Sequence, residues 1–241
     1  MKKTKLFLMH FAGGNCFSFQ FLLPHLSEFE VFPLELPGRG RRMREPLIRD
    51  FEQAAKDMYN QIMQVLALDA FSPSKFLIYG HSMGARLAFR VAGLLEKAHK
   101  APLHIIISGS SGPSLMQNDR KIRHLMPKPE LKLELQSLGG LPLEILENDE
   151  VFDFFEPIIR SDFEVVERNQ LGPFLPIQTP IYAVMGSEEA TTPAIGNWEQ
   201  YTTTDFTSEV LPGNHFFIHQ HPRRMAEIIQ SCYATTPVYK Y

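Results

Sequence analysis

The chain has 241 residues, the length of one sizeable domain, and at 44% hydrophobic and 21% charged residues it can bury a core and is not a disordered polymer. A net charge of -3 argues against a general nucleic-acid binder, which would be basic. Cys16 and Cys232 are too few for a disulfide framework and point to reduced thiols in a cytoplasmic setting; the apolar run Leu6–Met9 is too short for a signal-peptide core, and no run reaches membrane-spanning length.

In chain order, Lys5–Met9 reads as a short buried strand that enters the loop His10-Phe11-Ala12-Gly13-Gly14. A helix is expected from about Phe17 to Ser27, with Phe17, Phe19 and Phe21 as core and, as the alternative, Phe17 or Cys16 at the border of the site. Glu30–Leu36 is a second strand, stopped by Pro37-Gly38. The basic run Arg39, Arg41, Arg42 and Arg44 then reads as a solvated loop face, with docking of an acidic partner as the alternative. Asp50–Leu68 has amphipathic helical periodicity, with Asp50 and Gln53 at capping-box spacing. Lys75–Tyr79 is a strand that runs straight into Gly80, and Met83–His99 is a helix. His104–Ser108 is strand-like. Between about Pro113 and Pro176 the strand signal fades, and Lys128–Leu138 and Asp149–Ile159 read as helices. Ile181–Met185 and Ser208–Leu211 are the last strands, and a helix from Pro222 to Cys232 follows.

Apolar strands alternating with helices predict a mostly parallel sheet with helices on both faces, over a single domain spanning 1–241. Sites in such sheets lie at the carboxyl ends of the strands. The helical stretch of about 113–176 falls between two strands whose ends should form the site, so it reads as a helical lid insertion rather than a separate domain.

The strongest local signal is Gly80-His81-Ser82-Met83-Gly84. G-x-S-x-G is weak alone, but here a strand precedes it and a helix follows, the context of a nucleophile elbow. That points to an α/β-hydrolase with Ser82 as nucleophile. The start of the helix also offers backbone N–H groups to developing negative charge, Met83 among them. A serine needs a base. His215, in the loop after the last strand, stands where the third member of a Ser…acid…His order belongs; His219 and His221 lie later, and no cysteine or carboxylate pattern makes these three a metal site. The orienting acid is expected in Gly186-Ser187-Glu188-Glu189, with Glu189 or Glu188 in the role, or else a Ser–His dyad without either. The loop at 10–14 is placed to aim a second backbone N–H at a reacting carbonyl oxygen.

Together these segments resemble the type II, or external, thioesterases of nonribosomal peptide and polyketide synthesis. The resemblance covers nearly the whole chain. Its segments are Phe11-Ala12-Gly13-Gly14, Leu36-Pro37-Gly38-Arg39-Gly40, the elbow, Leu138-Gly139-Gly140-Leu141-Pro142, Arg160-Ser161-Asp162-Phe163 and Gly213-Asn214-His215-Phe216-Phe217. It implies hydrolysis of acyl groups from the phosphopantetheine arm of carrier proteins, by Ser82, His215 and an acid, with Ala12 and Met83 lining the oxyanion hole. It also implies no resident cofactor or metal, a monomer, and carrier domains as partners. The family's usual Gly-x-x-Asp reads Gly186-Ser187-Glu188-Glu189 here, which aligns Glu189 with the acid. A general carboxylesterase or lipase-type hydrolase would carry the same triad, and a weakly catalytic carrier-binding module is the reading outside hydrolysis.

Overall fold

The computed structural model describes residues 3–68, 75–113, 121–168 and 175–234. Six strands, β1 (Thr4–Met9), β2 (Phe29–Leu34), β3 (Phe76–His81), β4 (His104–Ser108), β5 (Ile181–Gly186) and β6 (Phe206–Leu211), form one sheet in the order β2-β1-β3-β4-β5-β6. Every pairing is parallel. The helices are α1 (Phe51–Ala67), α2 (Met83–Lys97), α3 (Lys128–Leu138), α4 (Leu143–Glu147), α5 (Asp149–Glu167) and α6 (Pro222–Ala234). This is the α/β-hydrolase fold expected from the alternation of elements.

Period-two alternation sends the strand side chains to two cores. Phe7, Met9, Ile78, Ile105, Ile107 and Ala183 pack with α1 and α2. Leu6, Leu8, Leu77, Tyr79, Ile106 and Val184 pack on the other face with α6. The strand order reverses between β1 and β3, and Met9 stands beside Gly80 in their register. The loops leaving these two strands therefore emerge together, where open parallel sheets hold their sites. Helix α1 starts where the cap predicts, since Asp50 accepts the Gln53 N–H at 2.8 Å.

Two expectations are corrected. Residues 17–27 form no α-helix. They run as successive i→i−3 turns ending in a short 3₁₀ segment, Leu23–His25. Pro24 has no N–H to bond four residues back and its ring opposes a continuous helix, while Phe19, Leu22 and Leu26 still reach the core. Phe17 is not core: it is 49% exposed, beneath the Arg41 guanidinium. Helix α5 does not stop at Ile159 but runs through Pro157 to Glu167. Its second half continues because Ile158, Ile159, Asp162 and Val165 form one buried stripe.

Helices α3, α4 and the first half of α5 build a small core of their own from Leu131, Leu135, Leu146, Phe152 and Ile159. The ends of the expected insertion, 114–120 and 169–174, lie outside the described residues. No helix among the described residues is long and apolar enough to cross a membrane.

Candidate active site

Ser82 joins β3 to α2 with φ 55° and ψ −113°, the tight turn an elbow requires. The residues two positions to either side must be glycine. A Cβ on Gly80 would lie 2.1 Å from the Gly84 carbonyl oxygen, and one on Gly84 would lie 2.0 Å from that of Met9. The elbow is thereby pressed against the end of β1, and the Ser82 N–H continues the sheet by donating to the Ser108 carbonyl at 2.8 Å.

The Ser82 hydroxyl donates to His215 Nε2 at 3.0 Å. On the other side of the ring, Nδ1–H donates to Glu189 Oε2 at 2.6 Å. The second oxygen, Oε1, accepts the Gly186 N–H at 2.8 Å, so the carboxylate is fixed to the end of its own strand. The two loops meet because Gly186 has no side chain: a Cβ there would lie 2.4 Å from the Asn214 carbonyl oxygen. Glu188 is exposed and takes no part in this chain of hydrogen bonds. His219 stacks on Phe216, and His221 Nε2 donates to the Pro212 carbonyl. Among the described residues no three His, Cys, Asp or Glu side chains gather as a metal-binding group.

Two further histidines support the centre. His81 is fully buried, with Nδ1 2.8 Å from Ser108 Oγ and its ring centroid 5.0 Å from that of His215. Burial, then the neighbouring His215, pushes its pKa well below the usual value, so it is neutral. Gly109 separates the two rings; at φ 63° a Cβ would lie 2.6 Å from His81 Cε1 and 3.0 Å from His215 Cε1. His10 is also fully buried. Its Nδ1 donates to the Phe11 carbonyl at 2.8 Å and its Nε2 accepts the Leu36 N–H at 3.3 Å. Burial, reinforced by the charge of Arg39, lowers its pKa to about 4.

The loop after β1 is a turn in which the Gly14 N–H donates to the Phe11 carbonyl at 2.9 Å, with Gly13 at φ 77°. The Met83 N–H, first of α2, has no intrahelical acceptor available to it. Ala12 and Met83 follow the neighbouring carboxyl ends of β1 and β3, where Met9 pairs with Gly80.

Several contributors were not read from the sequence as site residues. Arg39 is not part of a solvated face: it is 2% exposed and forks onto the fully buried Asp162 of α5 at 2.5 and 2.7 Å. Arg42 forks onto Glu45 and Asp57, leaving Arg41 and Arg44 as the exposed members of the run. Asp162 was findable, because a carboxylate on the apolar stripe of a helix demands a partner; the partner's identity was not. Gly139 and Gly140, in the turn between α3 and α4, lie on the residues flanking His215. A Cβ on Gly139 would meet Asn214 Nδ2 at 2.8 Å, and one on Gly140 would meet the Phe216 ring at 2.3 Å.

The thioesterase domain model matches residues 4–233. The chain is 30% identical over 233 residues to the linear gramicidin dehydrogenase LgrE of Brevibacillus parabrevis, covering 94% of this chain and 86% of that protein. It is 30% identical over 232 residues to the gramicidin S biosynthesis protein GrsT of Aneurinibacillus migulanus, covering 94% and 88%. The first name speaks of a dehydrogenase, but no G-x-G-x-x-G dinucleotide fingerprint occurs in this sequence. Among solved structures, YbtT, the type II thioesterase of a yersiniabactin nonribosomal peptide and polyketide pathway, superposes with a TM-score of 0.84 at 28% identity, over 98% of this chain and 95% of that one. With the family model spanning nearly its whole length, the chain belongs to the thioesterase domain family and is a thioester hydrolase.

Proposed function

We propose that this chain removes acyl groups from the phosphopantetheine arm of carrier proteins, and so regenerates stalled or mischarged nonribosomal peptide or polyketide synthetases. The observation that carries the reading is the unbroken chain from Ser82 Oγ through His215 to Glu189, at 3.0 and 2.6 Å. Ser82 attacks the thioester carbonyl as His215 Nε2 takes its proton. The tetrahedral oxyanion is held by the Ala12 and Met83 N–H groups, each worth roughly 10²–10³ in rate. Collapse expels the pantetheine thiolate, which receives the proton from His215 and leaves an acyl-Ser82 ester. Water, deprotonated by His215, then releases the carboxylic acid. Glu189 holds the Nδ1–H tautomer and stabilises the imidazolium, and Glu188 has no part.

Every step falls to protein groups and water, with no cofactor other than the arm the substrate brings. The chain works in the cytoplasm as a monomeric single domain, with carrier domains as partners. The helices between about 113 and 176 act as the lid that shapes the acyl pocket. Mass spectrometry of an acyl-loaded carrier protein tests the whole reading. The wild type should strip the acyl group and leave the arm intact, while Ser82→Ala should not. Cleavage of short oxygen esters with every carrier left loaded would replace the reading by a general esterase. Failure of a fluorophosphonate to label Ser82 in the folded protein would leave only a carrier-binding role.

A further inference from the structure

We infer that Asp162, delivered by the insertion helix α5 and held by Arg39, is a positioning residue for the oxyanion loop. This rests on the reading above that Ala12 contributes an oxyanion donor.

The loop is gripped at consecutive residues from the far side. Asp162 Oδ2 accepts the Gly13 N–H at 2.8 Å, and Arg39, whose guanidinium is paired with the same carboxylate, donates to the Gly14 carbonyl at 3.3 Å. Both side chains are buried, Asp162 completely. One turn of α5 earlier, Ile159 fills the space beside Gly13, where a Cβ would lie 3.0 Å from its Cγ1. Phe11, Ala12, Gly13 and Gly14 form a β-turn whose third residue has a positive φ, the signature of type II. Types I and II differ by a flip of the central peptide, and the central N–H here is that of Gly13. The acceptor that decides its orientation is Asp162.

The preceding peptide is held as well. The Phe11 carbonyl accepts from both His10 Nδ1 and the Gly14 N–H. In a trans peptide the N–H points opposite to the C=O, so holding that oxygen aims the Ala12 N–H away from it. That hold depends on the Gly14 N–H keeping its place, and the contacts of Asp162 with the Gly13 N–H and of Arg39 with the Gly14 carbonyl fix that end of the turn from the far side. The second half of α5 is suited to be a fixed reference. Ser161 Oγ donates to the Ile48 carbonyl at 3.2 Å, Glu164 accepts from Arg49 at 2.8 Å, and Arg86 of the elbow helix donates to the Val166 carbonyl at 2.9 Å. The last turns of α5 are thus tied to the elements around the elbow, and Asp162 reaches the loop from a fixed point.

The test uses the full chain with an acyl-N-acetylcysteamine thioester, reading kcat, KM and Tm. A buried ion pair replaced whole by apolar residues of similar size is commonly tolerated, whereas breaking one partner is not. Arg39→Met/Asp162→Leu therefore removes the Gly13 acceptor without stranding a charge. It should melt within a few degrees of the wild type, lose kcat by about 10²-fold, the value of one oxyanion donor, and change KM by less than about threefold. Asp162→Asn keeps one carbonyl oxygen for Gly13 but spoils the fork, so it should lose more Tm and less kcat than the double variant. A folded double variant with kcat within about threefold of wild type, or kcat losses that follow Tm losses in both variants, overturns the inference. If the double variant does not fold, Asp162→Asn and Asp162→Ala are compared well below their Tm: the Asn variant, which keeps a carbonyl oxygen for the Gly13 N–H, should retain far more kcat than the Ala variant, which should lose about 10²-fold, and equal kcat in the two overturns the inference. Full activity in Ser82→Ala would remove the underlying reading and this inference with it.

Discussion

Glu189→Asp would install the residue usual at the acid position of these thioesterases, and it should make the enzyme worse. Glu189 reaches His215 Nδ1 at 2.6 Å with one oxygen while the other accepts the Gly186 N–H at 2.8 Å. Removing one methylene withdraws the carboxylate by about 1.3 Å, given a C–C bond near 1.5 Å. From 2.6 Å the gap to Nδ1 would open to about 4 Å, beyond a hydrogen bond. The loop cannot follow freely, because Gly186 already abuts the Asn214 and Gly213 carbonyls. A charge-assisted hydrogen bond contributes about 1.5–3 kcal/mol, which predicts a loss of roughly 10–10² in kcat. Glu189→Gln keeps the reach but favours the wrong tautomer and should fall further, toward about 10⁴. Steady-state kinetics on a soluble acyl thioester, with Tm as a check on folding, reads both. A Glu189→Asp enzyme as fast as the wild type would show that reach does not select the acid here.

Gly109→Ala places a methyl 2.6 Å from His81 and 3.0 Å from His215 at a positive φ, so we expect a loss of about 1–3 kcal/mol in stability and at least about tenfold in kcat; unchanged kinetics would show that His215 is not held by this packing. Gly140→Ala drives a methyl into the Phe216 ring beside His215 and should lower kcat several-fold while affecting Tm modestly; equal kinetics would mean that the α3–α4 turn does not support the His215 loop. Stability should decline below neutral pH. Folded His10 has a pKa lowered to about 4 against 6.5 unfolded, so between these values the unfolded chain takes up a proton that the folded chain refuses. Its contribution is complete above about pH 6.5 and is lost as pH falls, on the order of 2 kcal/mol by pH 5, and His81 and His104, also lowered by burial, act in the same direction. Urea melts across pH 5–8 check the sign; in a His10→Gln background a slope no shallower than wild type would contradict the assignment.

Local pattern and proximity along the chain explain what was legible beforehand. A strand running into Gly80-His81-Ser82-Met83-Gly84 and then into a helix announces an elbow, since only glycine fits the contacts made at 80 and 84. His215 followed from strand order, and Glu189 from its place at the end of β5, though the residues alone do not separate it from Glu188. One oxygen of Glu189 returns to the Gly186 N–H and the other meets His215, while Glu188 faces solvent. Local pattern misled where a proline mattered, turning the apolar spacing of 17–27 into an expected helix, and where burial reverses the reading of a charge. Arg39 sits in a basic run that resembles a solvated face, and its carboxylate lies 123 positions away on α5. The order of apolar, glycine and titratable residues therefore determined the sheet, the elbow and the Ser–His pair. The buried ion pair behind the loop after β1, the lowered pKa of His10 and the seating of the Gly139-Gly140 turn on the His215 loop were decided by tertiary structure, because desolvation and long-range pairing depend on which surfaces meet, and no local periodicity encodes that.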